Sequence, residues 1–205
     1  MRFIIIALLL PLSGCMQTVA QKQDAALRQG FNTADAEYGS CVDSTRIKFA
    51  AQYDVVGPVF ILSEDDPSQL TKKMNTNQLT EAQKTAALEI WQGNSCSRNH
   101  QQALASLSAR HGNAMGKFLA DIDDLRVSIL TNKITVGEYN TNLMKVRQEL
   151  FAEFTAADNE ILAGLNQQHN AELERRQRAA AAYNAYRPRI ATCTSYGSTV
   201  TCNSY

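Results

Sequence analysis

From Ala86 onward, apolar and small side chains recur at steps of three and four residues, a spacing that admits few folds other than packed helices. One stripe runs Ala86, Ile90, Gly93, Ser97, His100, Leu104 and Leu107, then His111, Met115, Phe118, Ile122, Leu125 and Ile129. The frame persists across Gly93 and Asn94, which predicts one long, slightly bent helix. Thr80 followed by Gln83 reads as the capping box that starts it, and Asn132 with Lys133 ends it. A second capping box, Thr135 with Glu138, opens the next stripe: Val136, Tyr139, Leu143, Val146, Leu150, Phe154, Ala157, Ile161 and Leu165. The short link between the two stripes makes these helices antiparallel neighbours.

Upstream, Leu27, Phe31, Ala34, Tyr38 and Cys41 form a third seam within a helix expected over 17–53, stopped by Gly57 and Pro58. Residues 54–79 read as a connecting loop with no core periodicity of their own. Its apolar cluster, Val55, Val56, Val59, Phe60, Ile61 and Leu62, is expected to cap one end of the helical body. Gly112 and Gly116, four apart, are expected to let helices approach closely. The expected fold is therefore all-α: an elongated, antiparallel, coiled-coil-like three-helix bundle over 15–187, carrying a small disulfide-stapled β-hairpin over 188–205.

Charge narrows the partners. The 205 residues are 44% hydrophobic and 20% charged, with 20 basic against 20 acidic side chains. Such a balance gives no bulk electrostatic attraction to nucleic acid, and none is expected as a partner.

The N-terminal segment carries the most specific motif. Arg2 precedes an apolar run from Phe3 to Leu10, followed by Leu12-Ser13-Gly14-Cys15. A bilayer-spanning helix needs roughly 20 apolar residues, so this run is too short to remain as a transmembrane anchor. It resembles the signal peptide and lipobox of the bacterial lipoprotein class. That resemblance implies cleavage after residue 14, a diacylglyceryl thioether on Cys15 with further acylation (the palmitate class), and membrane attachment through lipid alone. Met16, where an aspartate would favour inner-membrane retention, implies the outer membrane, with the body facing the periplasm. The final residue, Tyr205, is not the lysine that covalent peptidoglycan attachment uses.

Four further cysteines, Cys41, Cys96, Cys193 and Cys202, form an even set suited to two disulfides in an oxidising compartment. Around Gly197-Ser198 the β-forming segment Thr192 to Cys202 fits a two-residue hairpin with glycine first. Counting outward from the turn sets Cys193 opposite Cys202. Cys41 is then left to pair with Cys96. Zinc is disfavoured because the cysteines are widely separated and no CxxC or HxxxH arrangement occurs.

Little else points to chemistry. His100 and His111 fall on the apolar seam and read as core histidines, whereas His169 reads as surface-exposed. Asp121, Asp123 and Asp124, like Glu64, Asp65 and Asp66, lack the spaced ligands and glycine of an EF-hand. The sequence holds no GxSxG, Walker loop, GxGxxG or HExxH, so neither catalysis, nor a cofactor, nor a metal is expected. Arg175, Arg176, Arg178, Arg187 and Arg189 make a basic patch near the C-terminus, the expected partner-binding site if it is more than a solvated helix end. The reading that unites these features is a non-catalytic envelope lipoprotein, a spacer or adaptor for another envelope protein, with self-association compatible. The alternative is a small-ligand binder or an inhibitor of a periplasmic enzyme.

Overall fold

The computed structural model describes residues 18–63, 65–186 and 191–204. It is mostly helical: α1 (Val19–Lys48), α2 (Ala50–Val56), α3 (Gln69–Lys73), α4 (Glu81–Gly93), α5 (Cys96–Leu107), α6 (Ala109–Leu130) and α7 (Val136–Tyr186), followed by β1 (Ala191–Tyr196) and β2 (Thr199–Ser204). The described residues form two compact units, Gln23–Ala163 and a second that joins 18–22 with those from Gly164 onward.

Local sequence sets several helix ends. Thr80 accepts the Gln83 amide while the Gln83 side chain accepts the Thr80 amide, and Thr135 and Glu138 exchange the same pair of bonds. The end of α6 is a Schellman motif. Asn132 turns left-handed at φ 57°, the Lys133 amide bonds the Ser128 carbonyl at 2.9 Å, and the Asn132 amide bonds the Ile129 carbonyl at 3.2 Å.

The single long helix expected from residue 81 to 130 is instead three. Apolar period alone cannot register a break, because two breaks of one or two residues leave the spacing nearly in phase. Asn94 accepts the Cys96 amide at 2.9 Å, restarting the chain as α5. Ser108 then adopts extended backbone (φ −152°, ψ 117°) and its hydroxyl accepts the His111 amide, capping α6. With the break at Ser108, α5 folds against α6, and a side chain at Gly112 would collide with Ala105. The first seam is likewise divided at Phe49, and α2 ends where Gly57 and Pro58 follow.

Within the larger unit, one apolar cluster gathers Val56, Phe60, Leu79, Ala87, Ile90, Ile129, Val136, Tyr139 and Leu143, with Trp91 and Tyr53 against it. A second joins Ala34, Leu104 and Met115 to Phe31, Leu107, Leu150 and Phe154. Cys41 is bonded to Cys96, tying α1 to α5.

The segment between α2 and α4 is far more ordered than its composition suggests. Val56, Phe60 and Ile61 are buried, Ile61 to 1% exposure. Asn140, fully buried on α7, accepts the Ile61 amide at 3.0 Å and donates to the carbonyls of Val59 (2.8 Å) and Lys72 (3.2 Å). Lys72, also buried, donates to the Phe60 carbonyl at 2.9 Å and to Asp66 at 2.6 Å. Downstream, the carbonyls of Asn75 and Asn77 accept the Gly137 and Val136 amides, satisfying donors that the first turn of any helix leaves free. Gly137 is required there, since a methyl group would strike the Lys73 and Asn75 carbonyls. The segment expected as a loop with a capping apolar cluster is thus an ordered cap built on the first turns of α7, with Val56, Phe60 and Ile61 buried and Val55 and Leu62 exposed.

In the smaller unit, α1 begins with a third capping box. The Thr18 amide donates to the Gln21 side chain and the Gln21 amide to the Thr18 hydroxyl. The C-terminal strands pair antiparallel, with Cys193 opposite Cys202 and a disulfide between them at a Cα separation of 4.0 Å. Gly197 has φ +60° and Ser198 does not share a positive φ, matching the glycine-first two-residue turn.

Candidate functional site

The polar chemistry of the larger unit centres on two histidines from adjoining helices. The α6 imidazole of His111 is 3% exposed and lies between Phe31 of α1 and Phe154 of α7, with ring centroids at 4.8 and 5.0 Å. Its Nδ1 is 3.0 Å from the Ser108 hydroxyl and its Nε2 3.2 Å from Asp158 on α7. On α5, His100 stacks on Tyr38 and faces Asp35 of α1 through Nε2 at 3.0 Å. Each imidazole is buried while its carboxylate partner is largely exposed.

A cleft of about 260 Å³ opens beside His111, lined by Arg28, Phe31, Asp35, Phe154 and Asp158 among others. Ser108, His111 and Asp158 form a hydrogen-bonded chain from hydroxyl through imidazole to carboxylate. The hydroxyl also serves as the α6 cap, so its bonds are those of a helix start, and the imidazole joins α6 to α1 and α7 at once. Three surface ion pairs extend the same junction: Arg110 with Glu153 and Glu160, and Lys117 with Glu149. What the arrangement does physically is hold three helices in register.

The smaller unit carries the basic patch. His169, expected at the surface, is half-buried, with Nδ1 3.3 Å from the Thr18 hydroxyl. Glu172 accepts the Val19 amide at 3.3 Å and pairs with Arg176. Desolvation raises the Glu172 pKa, but the bonds from Arg176 and from the Val19 amide outweigh it and leave the carboxyl below its ordinary range. Beyond Glu172, every residue of α7 from 173 to 186 is exposed. Arg175, Arg176 and Arg178 project from this stretch; Arg178 pairs with Glu174 at 3.2 Å, and the Arg175 Nε reaches the Ala171 carbonyl at 3.4 Å. On the hairpin, Tyr196 is 93% exposed, and Val200, on the opposite face, 65%.

Arg187, Arg189 and Cys15 with its flanking lipobox lie outside the described residues. Among the described residues, no helix is long and apolar enough to cross a membrane, and no group of three or more histidine, cysteine or acidic side chains is placed to hold a metal. Sequence reading missed the Asn140 and Lys72–Asp66 cluster. A signal for Asn140 existed, because it interrupts the stripe of Val136, Tyr139 and Leu143 at a core-facing step of four, where an amide is retained only with its bonds satisfied. Compared with protein-family models, with characterised proteins and with solved structures, the chain matches none.

Proposed function

We propose that this protein is a non-catalytic lipoprotein of the bacterial envelope, held to the outer membrane by acylated Cys15 and facing the periplasm as a spacer or adaptor. In this reading its helices form an elongated antiparallel three-helix bundle, and the C-terminal hairpin engages another envelope protein. The observation that carries the reading is the start of α1. The Thr18 capping box, which opens α1, stands three residues after the lipobox cysteine, so acylation at Cys15 sets the lipid within a few residues of a capped helix start. Three further features support it. Both disulfides suit an exported chain. The buried polar groups His100, His111, Lys72 and Asn140 are engaged in bonds between elements of the fold, as in a scaffold. On the hairpin, Tyr196 offers an exposed aromatic of the kind that anchors protein interfaces.

The test is mass spectrometry of the mature N-terminus together with cross-linking in intact envelopes. Acyl mass on Cys15, loss of membrane fractionation in Cys15→Ser, and one dominant partner lost in Tyr196→Ala are the expected results. A Cys15→Ser protein that still pellets with its full acyl mass overturns the anchor, and recovery of no stoichiometric partner overturns the adaptor role.

A further inference from the structure

The arginine-bearing end of α7 has a one-sided surface. At 100° per residue, Arg175, Arg176, Arg178, Tyr183 and Tyr186 fall within an arc of about 160°. Gln177 and Asn184 lie on the other side, Glu174 borders the arc beside its partner Arg178, and Glu172 lies on the arc at its base, paired with Arg176; between the arginines and tyrosines stand only Ala179 and Ala182. The residues 173–189 hold five arginines and one glutamate, an excess that the chain as a whole does not share. All of 173–186 is exposed, with Tyr186 at 88% and Tyr183 at 71%.

Covalent reach then limits where this face can be. Thr18 bonds His169, and the neighbouring Val19 amide bonds Glu172, so the chain entering α1 touches α7 at the base of the exposed stretch. Cys15 lies three residues before Thr18, at most about 11 Å of extended chain. The exposed helix itself is about 21 Å long. If Cys15 is acylated, as the proposed function holds and as this step requires, the arginine face lies within a few tens of ångströms of the lipid at every moment.

We infer that this face is a second membrane contact: Arg175, Arg176 and Arg178 bind anionic phospholipid headgroups, and Tyr183 and Tyr186 sit at headgroup level. Charge complementarity selects the ligand, since arginine binds phosphate by paired hydrogen bonds and tyrosine is enriched where water meets lipid. Small alanines between them leave the contact superficial and electrostatic, with no apolar wedge to insert. Lipid then holds the body at two points.

Hydrogen exchange on the lipidated, full-length protein tests this. The protein is reconstituted in vesicles of phosphatidylcholine alone or with about 30% phosphatidylglycerol, and exchange of residues 173–186 is followed. Exchange is expected to slow at least tenfold in the anionic vesicles. It should return to the neutral-vesicle rate in about 0.5 M salt, and in the triple variant Arg175→Gln, Arg176→Gln, Arg178→Gln, whose helix content is checked by circular dichroism. Equal exchange in both vesicles overturns the inference, as does slowing that the triple variant retains. Protection seen only in intact envelopes overturns it in favour of a protein partner. The Cys15 acyl mass is read on the same sample: its absence sinks the anchor, whereas an acylated protein indifferent to anionic lipid sinks only the second contact.

Discussion

The side chain of Asn140 accepts the amide proton of Ile61 at 3.0 Å, across 79 residues of sequence and with both groups buried. Through this bond and its two donations to Val59 and Lys72, one amide closes three backbone groups of a segment that has no sheet or long helix to satisfy them.

Asn140→Ala should therefore destabilise the larger unit by about 2 to 4 kcal/mol, since it strands buried backbone groups and leaves a small cavity. Asn140→Asp keeps the acceptor for Ile61 but loses both donations, and should also be destabilising. Urea midpoints at constant m-value check both. A loss under about 0.5 kcal/mol for the alanine variant contradicts the role assigned to this residue.

Acid should act through Asp66. Hydrogen bonds from Lys72 and from the Ser68 hydroxyl and amide lower its pKa from 3.8 to about 2. A carboxyl with a depressed folded-state pKa contributes stability that is fully present above pH 3.8 and is lost as the pH falls through about 2. Asp66→Asn should accordingly be less stable than the parent at neutral pH, where the buried Lys72 loses its half-buried counter-charge. The gap should narrow as both are titrated to about pH 2.5. Denaturation midpoints of the two proteins across that range decide it, and a gap that stays constant with pH refutes the assignment.

The two disulfides should have separable effects. Opening Cys41–Cys96, which closes a 55-residue interval between two helices, is expected to cost about 4 kcal/mol by loop entropy. Cys193–Cys202 spans nine residues and staples a two-stranded hairpin that is marginal on its own. Replacing that pair by serine should speed amide exchange in β1 and β2 while leaving the melting temperature of the larger unit unchanged. Calorimetry with exchange on each serine pair makes the comparison.

At the three-helix junction, shape should outweigh charge. His111→Ala removes a buried ring from between Phe31 and Phe154 and should cost about 3 kcal/mol. Asp158→Asn alters a carboxylate with 61% of its side chain exposed and should change stability by less than about 1 kcal/mol. The opposite ranking in thermal or urea melts means that the polar contact of His111 with Asp158, not the packing, holds the helices.

The sequence by itself determined the features that depend on neighbours along the chain. Thr80 with Gln83 and Thr135 with Glu138 mark helix starts because a cap needs only a hydroxyl and an amide three residues on. The Cys193–Cys202 pairing follows from a glycine turn counted outward. The apolar stripes assign helix to most of the chain for the same reason, since their period is a property of one helix. What only the tertiary structure decided involves groups distant in sequence. The breaks at Asn94 and Ser108 stay in phase with the stripe and become visible only when α5 turns back on α6. Residues 57–79 look like a connector because their backbone partners are supplied by Asn140 and by the first turn of α7, which no local pattern encodes. The half-burial of His169 likewise depends on Thr18, 151 residues away. Periodicity records which face of a helix is apolar; which element covers that face is fixed by packing.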